Sequence, residues 1–196
     1  MKGIAKGLIA VGLGMALLAR PASAQKPGLE LGVQLVGFSM TNWDGSNNNI
    51  TAFNIGGATF SGLGVGTSSN VTAAFYVNEM IAIEPGFGFG YMKVEGATDA
   101  LSVLSLQVAV PIYFSKGWGK AGGLFVAPFV GMNKLSGGGS VSQNHFGANV
   151  GTKLKLSDNV FWRVQGGLDM GMENTGDFIP KYTAFGGAFG LNVYLH

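Results

Sequence analysis

The chain has 196 residues, of which 34 are glycine, 47% are hydrophobic and only 11% are charged, and it contains no cysteine. A soluble globular domain usually carries roughly a quarter charged residues, so this composition points away from that class. A disulfide scaffold is excluded, and a formal net charge of +2 leaves no basic footprint for nucleic acid.

The first element in the chain is an export signal over residues 1–24, followed by one domain over 25–196. Lys2 and Lys6 form a positive head, residues 7–19 an apolar stretch, and Ala22-Ser23-Ala24 a small-residue cleavage site. The apolar stretch is too short to span roughly 30 Å of hydrocarbon as a helix. Without the signal, nine basic residues face ten acidic ones, and the mature chain is near neutral.

From Leu29 the hydrophobic period is two, the period of a strand with two unlike faces. The first predicted strand, 29–40, alternates Leu29, Leu31, Val33 and Leu35 with Glu30, Gly32, Gln34 and Val36. A polar stretch over 41–62 reads as a long external loop containing Trp43, Phe53 and Phe60. The second strand is placed at 63–76 and carries Val71, Ala73 and Phe75 on one face. The third, 80–93, contains EPGFGFGYM, in which Phe87, Phe89 and Tyr91 alternate with Gly86, Gly88 and Gly90.

The fourth strand, 101–114, sets Leu104, Leu106, Val108, Val110, Ile112 and Phe114 against Ser105, Gln107, Ala109 and Tyr113. The fifth, 121–134, has the least regular phase. Phe146 to Leu156 supply a sixth over 143–156, Val160 to Met170 a seventh over 160–172, and Phe185 to Leu195 an eighth over 182–195. Each is long enough to cross a membrane when tilted. Short turns are expected at 77–79, 115–120 and 157–159, and longer loops at 41–62, 94–100, 135–142 and 173–181. A turn centred on Asp158 sets Lys153 opposite Arg163. One centred on Asn78 sets Phe75 opposite Ile81 and Thr72 opposite Glu84.

Charges decide which face looks outward. Within the eight segments the apolar phase is read as free of Asp, Glu, Lys and Arg, while Glu30, Glu84, Lys153, Lys155, Arg163 and Asp169 fall in the opposite phase. A charge facing lipid at mid-bilayer costs about 2–4 kcal/mol in a barrel, so its exclusion from one face is what a membrane demands. The predicted fold is all-β: an eight-stranded antiparallel up-and-down transmembrane barrel, with the phenylalanines toward lipid and the glycines toward a narrow interior. A soluble, ligand-holding barrel would instead crowd every phenylalanine inside and leave a glycine-rich exterior. Trp118, Trp162 and Tyr182, near segment ends, are expected at headgroup level. Pro85, Pro111 and Pro128 fall inside strands, where bulges or shifted register are expected because proline cannot donate to a ladder.

The signal, the eight amphipathic segments, the alternation of short turns with long loops, and the final Phe189, Leu191, Val193 and Leu195 together resemble the small outer-membrane β-barrel proteins of Gram-negative bacteria. The resemblance covers the whole chain after the signal. It implies export through the periplasm to the outer membrane, a monomer, and partnership with the barrel-insertion machinery, outer-membrane lipid and lipopolysaccharide. In that family the last residue is aromatic; here it is His196.

The candidate chemistry is sparse. Glu30, Glu84 and Asp169 match Lys153, Lys155 and Arg163 in number. Because Lys153 opposite Arg163 is repulsive, Glu84 or Glu30 is expected to bridge them. Such a network either plugs the barrel or gates a narrow path. Lipid A deacylases on this scaffold join a histidine to a serine two residues later, but Gly147 follows His145 at that spacing, so no enzymatic role is expected. Two distant histidines and no cysteine offer no metal set, and no cofactor is expected. Binding residues usually ride on loops held by a rigid scaffold, which singles out Trp43, Phe53 and Phe60 as a cap on the mouth or a contact for an extracellular ligand or host surface. The reading is a structural, adhesive or surface-binding barrel; the alternatives are a narrow porin-like channel and, behind it, a lipid A-modifying enzyme.

Overall fold

The computed structural model describes residues 28–45, 49–55, 59–61, 64–66, 71–92, 101–115, 123–137, 139–174 and 180–195. The export signal and Trp118 lie outside the described residues, as does the Tyr91 side chain. The strands are β1 (Leu29–Trp43), β2 (Asn49–Ile55), β3 (Thr59–Ser61), β4 (Gly64–Gly66), β5 (Val71–Tyr76), β6 (Ala82–Met92), β7 (Leu101–Ala109), β8 (Ile112–Tyr113), β9 (Leu124–Ser136), β10 (Ser140–Lys155), β11 (Val160–Gly171) and β12 (Tyr182–Leu195).

These segments make an eight-strand closed wall. β1 pairs with β12 on one side and with β5 and β2 on the other, so β2 and β5 share one place in the ring. β7 and β8 share another, along β9. The order β10-β11-β12-β1-β5-β6-β7-β9 closes through β9 against β10, and every pairing is antiparallel. The short β3–β4 pair forms a separate two-stranded sheet.

The two-residue period sorts side chains as the sequence implies. Phe38, Phe87, Phe89, Val150, Leu154 and Phe185 stand exposed on the outer surface, while Tyr113, Phe125, Phe161 and Ala82 are fully buried inside. In β1 the parity changes midway. Glu30, Gly32 and Gln34 face in, whereas above Leu35 the inward residues are Gly37, Ser39 and Thr41. The cause is a bulge between Gln34 and Val36, where β1 gains one residue over β12. The adjacent apolar pair Leu35-Val36 is the trace of that slip in the sequence.

Several expected boundaries are corrected. The stretch 41–62 is not one loop: β1 continues to Trp43 and returns as β2, with Phe38 opposite Phe53. The second strand, expected at 63–76, is shorter: β5 begins only at Val71, β4 pairs with β3 apart from the wall, and β2 takes the rest of that place along β1; Phe60 lies in β3. Asn and Thr at alternate positions of the β1–β2 hairpin make a strand look like a polar loop. The loop expected at 135–142 is a tight turn, because β9 reaches Ser136 and β10 begins at Ser140.

The Asp158 hairpin has the expected register, with Lys153 opposite Arg163. In the other hairpin Phe75 meets Ile83 and Thr72 meets Gly86, two residues from the expected partners but with the same faces preserved. Asn78 holds that turn by accepting hydrogen bonds from the Met80 and Ile81 amides at 2.8 and 2.9 Å.

The prolines shift no register. Opposite Pro85 the β5–β6 ladder omits two pairs and resumes unchanged, and around Pro111 the wall breaks between β7 and β8 while β9 runs through Pro128. A missing N–H opens a ladder locally, and the intact bonds on both sides keep the strands aligned. One charge also breaks the expected exclusion: Lys134 is exposed and lies in the outward phase, two residues from the outer end of β9. Near the interface such a charge costs only about 0–1 kcal/mol. Val150, in the middle of β10 and outward-facing, has no such escape. Val150→Arg is expected to lower stability by about 2–4 kcal/mol, measured by denaturant unfolding from lipid vesicles.

Candidate functional site: two polar layers in the lumen

The inner layer is built where β1, β5, β8, β9, β10, β11 and β12 send large inward residues to one level. Lys153 of β10 is completely buried. Its ammonium donates to both Glu30 carboxylate oxygens at 2.6 Å and to the Tyr76 hydroxyl at 3.0 Å, and lies 4.7 Å from the centre of the Tyr113 ring. The Tyr76 hydroxyl donates to Glu30 Oε2 at 2.7 Å, and Asn192 Nδ2 donates to Oε1 at 2.5 Å. A buried ion pair is tolerable only when its remaining lone pairs and protons are also satisfied, and these neighbours satisfy them.

Arg163 makes the second pair. Nη1 donates to Glu84 Oε2 at 2.5 Å, Nε donates to Gln165 Oε1 at 2.8 Å, and the guanidinium sits 4.7 Å from the Phe125 ring centre. The expected bridging carboxylate is therefore corrected: each cation has its own acid. Lys153 and Arg163 are cross-strand neighbours, and they separate by reaching to different walls, Glu30 on β1 and Glu84 on β6.

Lys155 leaves the network altogether. It is exposed at the end of β10 and pairs with Asp158 at 2.7 Å across the turn. The Lys155 hydrogen bond and charge hold the Asp158 carboxyl below the usual carboxylate range. An ammonium that can reach water at the turn has no reason to be dragged inside.

The outer layer gathers His145, Asp169 and Tyr182. His145 Nδ1 lies 3.0 Å from Asp169 Oδ1, and the Tyr182 hydroxyl donates to Oδ2 at 3.0 Å. Tyr182, expected at headgroup level, is instead buried inside, because β12 starts on its inward phase. Trp162 does face outward and stacks on Phe189 with ring centres 4.6 Å apart. Trp43, half-buried, packs on Tyr182 with centres 5.2 Å apart and thus closes over this layer. The Phe53 and Phe60 side chains lie outside the described residues. Above the layer, Gln143 donates to the carbonyls of Met172 and Pro180, both at 3.0 Å, tying the last outer loop to the wall.

Between the layers is a cavity of about 100 Å³, lined by Gln34, Gln107, Asn149 and Gln165 with Arg163 below and Asp169 above. That is room for about three water molecules. Periodicity places the charges inside but does not reveal the aromatic cage of Tyr76, Tyr113, Phe125 and Phe161; its only trace is large residues in the inward phase near strand ends.

No protein-family model matches the chain, and no curated protein matches it. Solved structures do. Neisserial surface protein A is 10% identical, with 85% of this chain and 95% of that one covered and a TM-score of 0.57. The outer membrane protein OprG of Pseudomonas aeruginosa is 8% identical, with 88% and 97% covered and a TM-score of 0.50. The fold is that of the small eight-stranded outer-membrane barrels.

Removing one partner of a buried pair leaves an unpaired charge, typically at a cost of about 3–5 kcal/mol. Glu30→Gln is expected to lose stability in that range, whereas Glu30→Gln combined with Lys153→Met recovers most of it. Urea titrations of the refolded variants give both numbers.

Proposed function

We propose that this protein is a closed, non-conducting barrel of the outer membrane, reached by export, whose role is played by binding at its outer surface and involves no catalysis. The observation that carries the reading is the inner layer. Lys153, Glu30, Tyr113, Phe125 and Phe161 are almost completely inaccessible and lie across the lumen. A solute could pass only by breaking both ion pairs and displacing the rings stacked against them.

The outer end supports the rest of the reading. The β1–β2 and β9–β10 hairpins are paired out to Asn42–Asn49 and Ser136–Ser140, and Gln143 and Asn174 bond the carbonyls of Met172, Pro180 and Ser142 nearby. Paired hairpins lift these connections on a rigid scaffold, which is where binding surfaces are usually carried. On β9 and β10 the outward face turns from apolar at Val130 and Phe146 to polar at Lys134, Ser136, Ser140, Ser142 and Asn144. The partner chemistry is a polar surface at or above the headgroups, with lipopolysaccharide or a host surface as the candidates.

Planar-bilayer recordings test the closed lumen. Wild-type protein and Arg163→Ala are both expected to be silent; steady single-channel steps in the wild type would favour the narrow-channel reading instead. Shortening the β9–β10 turn is expected to reduce binding of displaying cells to lipopolysaccharide-coated or host-cell surfaces by at least about tenfold if the hairpin is the anchor, equivalent to about 1.4 kcal/mol.

A further inference from the structure

The fixed charges of the lumen, lysine and arginine against aspartate and glutamate, do not pair off completely. Among the described residues its buried charged groups are the carboxylates of Glu30, Glu84 and Asp169 and the cations of Lys153 and Arg163. Lys153 answers Glu30, Arg163 answers Glu84, and Lys155 is outside with Asp158. Asp169, only 5% exposed, accepts a hydrogen bond from the Tyr182 hydroxyl and lies 3.0 Å from His145 Nδ1, but among the described residues no lysine or arginine pairs with it. A buried carboxylate without a compensating charge is one of the costliest arrangements in a protein.

A second, independent observation lies beside it. Ser105 Oγ, Asn133 Oδ1 and His145 Nε2 are buried without a completed hydrogen bond. The three residues are 1%, 3% and 2% exposed. They sit together on the inner wall. Ser105 faces Asn133 across β7 and β9, and His145 faces Gly131 across β10 and β9, one inward position from Asn133. The Tyr182 hydroxyl, which donates to Asp169, also lies against the Asn133 amide. Native proteins leave few such groups unsatisfied, and each one calls for a ligand, an ion or ordered water.

We propose that the outer lumen is a binding site for one small monovalent cation, with Asp169 supplying the charge and Asn133 Oδ1 and Ser105 Oγ supplying neutral oxygens. One carboxylate without a fixed counter-charge, together with two neutral hard oxygens, matches an alkali-metal ion such as sodium. A soft transition metal would look for sulfur and several imidazoles, and among the described residues no cluster of three His, Cys, Asp or Glu occurs. A divalent ion would overcompensate a single carboxylate and dehydrate with more difficulty. The adjoining cavity, also lined by Asp169, supplies space for water that completes the coordination. His145 is then a positioning residue, fixing the Asp169 carboxylate through Nδ1. This site goes beyond the closed-barrel reading, since a plugged lumen binds an ion as readily as an open one.

The test uses the full folded protein in detergent and compares sodium chloride with N-methylglucamine chloride at equal ionic strength. Bulky N-methylglucamine matches the charge but not the size. Sodium is expected to raise the thermal midpoint by roughly 2–4 °C over N-methylglucamine. It is also expected to show accelerated sodium-23 relaxation that saturates with protein. Asp169→Asn is expected to abolish both effects, and Asn133→Leu, which keeps the carboxylate, is expected to weaken sodium binding at least tenfold. Identical midpoints and relaxation in the two salts would overturn the site. Sodium dependence that survives in Asp169→Asn would overturn it equally. If Asp169→Asn does not fold, Asn133→Leu alone decides, because unchanged sodium relaxation there removes the oxygen donors from the account.

Discussion

A peptide group in hydrocarbon has no water to bond with, and that constraint governs this chain more than any side-chain contact. Each unpaired N–H or C=O at that depth costs several kcal/mol, so a strand wall in lipid must close upon itself. Pairing of β12 with β1 accomplishes this, with fourteen residues of β12 laid along β1. Closure then imposes the two-faced alternation, because every residue must look either at lipid or into the lumen. The exposed phenylalanines and the buried charges are two consequences of one ring.

The narrowness of that ring explains the interior. Eight strands leave a lumen that side chains can fill, so whatever polar groups enter must satisfy one another. Here they do so in two layers of different character. The inner layer is dense, with aromatic rings and two complete ion pairs. The outer layer is looser, organised around one carboxylate, with three neighbouring residues whose hydrogen bonds are incomplete. The proposed plug and the proposed ion site thus lie at separate levels of the lumen.

Much of the architecture is legible in the sequence because alternation is a strong signal wherever strands are regular. β12 occupies the predicted span, and the Asp158 hairpin has the predicted register. Legibility fails where local chemistry hides the pairing. Asparagine and threonine on both sides of the β1–β2 hairpin disguise it, and SGGGS at 136–140 reads as a loop although only three residues connect β9 and β10. For the site, phase places Glu30, Glu84, Arg163 and Asp169 inside but says nothing of distance along the axis. Phase alone therefore groups Lys155 with the lumen, and it leaves the Tyr182–Asp169 and Lys153–Glu30 contacts, set by three-dimensional height, out of reach.

The outward orientation of the apolar phase is the claim on which all else rests, and neighbouring residues test it directly. The chain has no native cysteine, so single nitroxide labels at Leu106 and at Gln107 report one position each. In lipid vesicles the label at Leu106 is predicted to collide mainly with oxygen, which concentrates in hydrocarbon, and scarcely with a water-soluble nickel chelate. The label at Gln107 is predicted to be shielded from lipid-dissolved oxygen. The reverse pattern, with Leu106 sheltered inside and Gln107 exposed to hydrocarbon, would contradict the account.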